Sequence, residues 1–108
     1  MSAGIPVYSR AVAINERLYR FDPAILQGAP ANAGVYALWQ DGEMIYLGHS
    51  ASIKGSLLGH FERRSACASG ATHYSWELSL RPSERESGLL EEFRLRHGRL
   101  PRCNGKAI

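Results

Sequence analysis

A chain of 108 residues is long enough for one modest core and too short for two domains. Its 44% hydrophobic and 21% charged content excludes a wholly disordered chain. No apolar run reaches membrane-spanning length, and the first thirty residues lack the basic-then-apolar pattern of a signal peptide. The formal charge of +3 is uneven: residues 1–80 hold six Lys/Arg against six Asp/Glu, whereas residues 81–108 hold seven against four. Beyond Glu92 there are five basic residues and no acidic one. A one-sided basic tail suits a polyanionic partner. Eleven of the thirteen basic residues are arginine, the better phosphate fork, although base composition of a gene produces the same bias. Cys67 and Cys103 have no second cysteine or histidine at metal-ligand spacing and read as free thiols of a cytoplasmic chain.

In chain order, residues 1–32 form an extension expected to pack on the domain that follows. Asp22-Pro23 reads as a helix cap and first-turn proline ahead of Ala24-Ile25-Leu26. The loop rich in Ala, Pro and Gly that follows leads into a strand in which Val35, Ala37 and Trp39 alternate with Tyr36, Leu38 and Gln40. Asp41-Gly42 is a hairpin turn signal, and Met44–Leu47 is the return arm. A helix over 52–64 follows, its buried stripe Ile53, Leu57 and Phe61. Tyr74, Trp76, Leu78 and Leu80 then alternate with His73, Ser75, Glu77 and Ser79 as a third strand. Ser83-x-x-Glu86 reads as a capping box opening a second long helix, with Leu89, Leu90 and Phe93 apolar and an end near Gly98. The expected fold is α/β of the α+β kind: a small antiparallel three-stranded sheet flanked by helices.

Gly34-Val35-Tyr36, Tyr46-Leu47-Gly48 and Pro101-Arg102-Cys103-Asn104, in this order on these elements, resemble a GIY-YIG endonuclease domain over roughly residues 33–105. The family includes the incision domain of bacterial excision-repair proteins, homing endonucleases and some restriction enzymes. The resemblance implies a domain spanning 33–108 and a catalytic set of Tyr36, Tyr46, His60, Glu92 and Asn104. It implies that the phenols line the site beside the attacking water, that His60 assists proton transfer, and that Glu92 binds Mg²⁺ or Mn²⁺. Asn104 closes the site. His49, Arg63 and Arg102 are the candidates for nucleic-acid contact, with DNA the expected partner and no membrane. His49 stands where many members carry a lysine.

Phosphodiester hydrolysis must deprotonate water, steady the phosphoryl oxygens and stabilise the leaving oxygen. In the resemblance an arginine ten residues beyond Tyr46 braces the phosphoryl oxygens, and this chain has Ser56 there. In comparable phosphoryl-transfer sites a missing arginine costs on the order of a thousandfold in rate. Lys54 lies roughly 160° around the helix from Ser56 and points away. Arg63 shares the stripe of Ser56 and His60 but lies about 10 Å further along the axis. Only its side chain folding back, or an arginine of the tail, reaches. The sequence therefore carries three readings: a weakened metal-dependent endonuclease, a non-catalytic nucleic-acid-binding module, and a protein-interaction domain on the same scaffold.

Each candidate also has a plain structural role. The tyrosines could be cross-strand partners, His60 a hydrogen-bonded helix histidine, Glu92 an ion-pair partner of Arg96, and Asn104 a turn residue.

Overall fold

The computed structural model describes residues 13–63 and 65–105; the first twelve residues of the extension lie outside them. Strand β1 (Tyr19–Arg20) is followed by the short helix α1 (Pro23–Leu26), capped as the sequence suggests: Asp22 Oδ1 accepts a hydrogen bond from Ile25 N at 3.0 Å. Strand β2 (Gly34–Gln40) turns into β3 (Glu43–Ser50) through Asp41 and Gly42, whose φ angles of 52° and 83° are the left-handed pair a two-residue hairpin turn needs. Helix α2 (Ile53–Arg63), strand β4 (His73–Leu78) and helix α3 (Pro82–His97) complete the order.

The sheet is antiparallel with order β1-β4-β2-β3, so it has four strands where the sequence suggested three. The added strand comes from the extension, with Tyr19 opposite Tyr74. Two paired residues give too short a period-two pattern to stand out in sequence.

Strand register sorts the side chains onto two faces. Tyr36 lies opposite both Gly48 and Trp76, and Leu38 opposite both Tyr46 and Tyr74. That face packs on α1 and α2 through Leu26, Ile53 and Leu57, all fully buried. Val35, Ala37 and Leu47 occupy the other face and pack on Leu89 of α3 and on Ile14. A bulge between Leu38 and Trp39 interrupts the β2–β3 register, with Ile45 as the extra residue.

Two sequence expectations are corrected. Cys67 and Cys103 are not free thiols: they form a disulfide, with Cα atoms 5.7 Å apart across a sequence separation of 36. The loop after α2 and the segment after α3 meet at one end of the sheet, a juxtaposition the spacing of two cysteines does not reveal. The thiol argument for a cytoplasmic location falls with it. Ser83 and Glu86 do not form a capping box either. The helix starts at Pro82, its N-cap Arg81 makes no side-chain cap, and Glu86 is turned to His49. Proline preset for the first helical position takes over the start. The end is as expected, with Gly98 left-handed at φ 76°. Among the described residues no helix is long and apolar enough to cross a membrane.

Candidate functional site

The hairpin and α2 bring three rings together on one face of the sheet. Centroids lie 6.1 Å apart for Tyr36 and Tyr46, 5.4 Å for Tyr36 and His60, and 5.2 Å for Tyr46 and His60. The Tyr36 hydroxyl is 2.7 Å from His60 Nε2. Tyr36 is 4% exposed and His60 7%, so the contact sits at the inner end of the site.

The two glycines of the tripeptides have distinct steric reasons. A Cβ on Gly48 would stand 2.8 Å from both Cζ and the hydroxyl of Tyr36 and 3.0 Å from Cε2 of Tyr46. Only a bare backbone lets both phenols lie across β3. A Cβ on Gly34 would collide with the Glu77 carbonyl and stand 2.8 Å from Ile53 Cδ1. Gly34 thus permits close packing of strand and helix rather than the ring cluster.

Burial governs the proton states. It pushes the Tyr36 phenol far above its ordinary range, with neighbouring Tyr46 and then Glu86 adding to the rise and Ser56 opposing it. Burial likewise raises Tyr46, and the Glu86 charge adds to that. Burial lowers His60, and the positive charge of Arg63 lowers it further. Two neutral phenols and a neutral imidazole therefore share the site near pH 7. A neutral imidazole can accept a proton from water.

Ser56 occupies the missing arginine's place within a hydroxyl chain, its Oγ donating to Ser50 Oγ at 2.7 Å. The start of α2 offers no free donors for an anion: Ile53 N is bonded to Asn32 O, Lys54 N to Pro30 O, Gly55 N to Ser52 Oγ and Ser56 N to Ser52 O. Asn104 pairs both amide atoms with one backbone unit, Oδ1 accepting from Leu47 N at 3.0 Å and Nδ2 donating to Leu47 O at 2.9 Å. It thereby closes the open edge of β3 at the middle of Tyr46-Leu47-Gly48.

The fold that carries this site has counterparts among solved structures. The magnesium-bound GIY-YIG N-terminal endonuclease domain of UvrC from Thermotoga maritima superposes with a TM-score of 0.60 at 19% identity, covering 73% of this chain and 90% of that one. A point mutant of the same domain, bound to its catalytic divalent cation, gives 0.57 at 18% identity, covering 64% and 84%. The fold is GIY-YIG-like. No family model matches the sequence, and no curated protein matches it.

Within the GIY-YIG-like frame the remaining candidates separate. Glu92 is not brought to the rings. It lines a cavity of about 370 Å³ on the other face of the sheet with Ile14, Trp39 and Leu89, and its Oε2 is 4.0 Å from Arg96 Nη2. His49 and Arg102 have other partners: His49 Nδ1 lies 2.6 Å from Glu86 Oε1, and Arg102 pairs with Glu43 and Gln40 near the hairpin turn. Among the described residues no three His, Cys, Asp or Glu side chains cluster as a metal cage.

Sequence reasoning missed Glu86, whose charge reaches both phenols. Its spacing of three and four from Leu89 and Leu90 places it on the sheet-facing side of α3, a signal that the capping-box reading displaced. It also missed Gly59, which becomes informative only beside Arg63.

Proposed function

We propose that this chain acts on nucleic acid as a weak, divalent-metal-dependent phosphodiesterase. The observation that carries the reading is the cluster of Tyr36, Tyr46 and His60, with buried, neutral His60 held at 2.7 Å by a phenol. In the proposed reaction a water oxygen bonds to phosphorus as the bond to the leaving sugar oxygen breaks. The water's proton passes to the Tyr36–His60 pair, the leaving oxygen takes a proton from solvent water, and the pair then releases its proton to solvent.

Mg²⁺ suits the donor set, because it commonly takes one or two carboxylates and fills its remaining positions with water and phosphate oxygens. Bound, it would polarise the phosphate. Glu92 holds the metal-ligand place in the sequence resemblance. Glu86 is held at 2.6 Å by His49, the residue after Gly48, and its charge adds to the rise of both phenols; we assign the metal carboxylate to Glu86. DNA is the substrate to test first.

The competing reading is a binding module without turnover, favoured by Ser56 in the arginine's place. A nicking assay on supercoiled DNA with Mg²⁺ or Mn²⁺ decides between them. Nicking that disappears in Tyr36→Phe and His60→Gln supports the enzyme. Salt-sensitive binding without nicking supports the module.

A further inference from the structure

We propose that Arg63 supplies the guanidinium missing at position 56, reaching the reacting phosphate from two turns further along α2; the inference rests on the phosphodiesterase reading above. The side chain does not extend away from the helix end. A Cβ on Gly59 would stand 3.2 Å from both terminal guanidinium nitrogens, so Arg63 runs back along α2 and lies over Gly59. Seven residues separate Arg63 from Ser56, about 10 Å along the axis; from the level of Gly59 only about 4.5 Å remains. At about 100° per residue, Ser56, Gly59, His60 and Arg63 fall within one third of the helix circumference. The guanidinium therefore sits beside His60, whose proton affinity its charge lowers.

Gly59 makes this path possible. A glycine inside a helix is destabilising relative to alanine, and here it leaves the groove in which the guanidinium lies. The other candidates are occupied. Arg94 pairs with Glu91, Arg96 with Glu92, and Arg99 and Arg102 both with Glu43. Arg63 has no carboxylate partner among the described residues and is exposed. Its planar fork is free to take two phosphoryl oxygens.

The test combines single-turnover cleavage of labelled DNA in Mn²⁺ with the salt dependence of binding, measured on the native chain and on Arg63→Gln, Arg63→Lys, Gly59→Leu and Ser56→Arg/Arg63→Gln. Arg63→Gln is expected to lower the cleavage rate about a thousandfold and to reduce the slope of log K against log salt by about one. Arg63→Lys keeps the slope and loses most of the rate, because a point charge does not replace the fork. Gly59→Leu blocks the groove and reproduces the rate loss with Arg63 intact. Ser56→Arg restores cleavage to Arg63→Gln.

An unchanged rate in Arg63→Gln overturns the proposal, whether or not the slope falls, since a fall alone marks a contact remote from the reacting phosphate. If the native chain does not cleave but Arg63→Gln still loses a unit of slope, the enzymatic reading fails and the phosphate contact stands. An unchanged slope without cleavage, or no binding at all, overturns both.

Discussion

The Tyr36 hydroxyl and His60 Nε2 meet at 2.7 Å where both residues are almost shut off from water, and the pair joins β2 to α2 across 24 positions of sequence. Removing the hydroxyl leaves a buried ring nitrogen without its partner, which costs about 1–3 kcal/mol. Tyr36→Phe is therefore expected to lower stability by that amount in urea denaturation and to lower any cleavage by about 10²–10⁴-fold. A variant as stable as the native chain would mean that His60 finds another partner.

The same burial gives His60 a pH signature. Its affinity for a proton is lower folded than unfolded, so the unfolded chain binds more protons as pH falls below about 6.5. Stability is accordingly full above that value and declines as pH falls toward the lowered folded value. Tyr36, Tyr46 and Arg63 are the groups that face it, and none offers a negative charge near neutral pH to reverse the sign. His60→Gln should flatten the melting temperature between pH 7 and 5 relative to the native chain. An equally steep fall in the variant assigns the dependence to other groups.

The chain pattern disclosed most of the frame and less of the site. Alternation around Tyr36 and around Trp76, the Asp41-Gly42 turn and the Asp22-Pro23 cap are local signals, and each is realised where the pattern places it, except that β4 stops at Leu78 and leaves Leu80 exposed. What stayed hidden depends on contacts between distant segments. Tyr19 and Arg20 become a strand only because β4 offers them an edge. The cysteines become a disulfide only because two segments converge. Glu92 was placed by counting back from Asn104, but rotation of α3 about its axis decides which face a glutamate sees, and that rotation sets Glu92 in the opposite cavity while Glu86 turns to His49.

The two tripeptide glycines should fail differently when given a methyl group. Gly34→Ala forces a Cβ into the Glu77 carbonyl, against a strand that cannot yield, and should cost stability by about 1–3 kcal/mol or more. Gly48→Ala meets ring atoms of Tyr36 and Tyr46, which can tilt aside. It should cost less stability and more activity. Chemical denaturation paired with nicking assays checks the ordering, and a Gly48→Ala variant with native activity would contradict the steric account.

The disulfide fastens the segment that carries the asparagine clasp. Cys103 N bonds to Ile45 O at 2.8 Å, and the next residue, Asn104, brackets Leu47. By chain entropy, closing a loop of this separation stabilises by roughly 2–4 kcal/mol. Cys67→Ser/Cys103→Ser should lower stability by that amount in denaturation without reductant. Adding a dithiol should shift the native chain to the same midpoint and leave the variant unmoved. Amide exchange at Leu47 should also quicken in the variant, because the Asn104 acceptor is less firmly placed.

Glu86 and Glu92 offer a direct test of which α3 carboxylate serves the site. Glu86 bonds to His49 at 2.6 Å and raises the proton affinity of both phenols, whereas Glu92 is exposed beside Arg96. Glu86→Gln keeps shape and removes charge. It should lower the phenol titration of Tyr36 and Tyr46 and raise the Mg²⁺ concentration needed for half-maximal cleavage by tenfold or more. Glu92→Gln should change the Mg²⁺ requirement by less than about twofold, as removal of an exposed ion pair does to most properties. Ultraviolet titration of the phenols and a Mg²⁺ series on the two variants separate the cases. The reverse ranking would return the metal to Glu92 and require α3 to rotate when substrate binds.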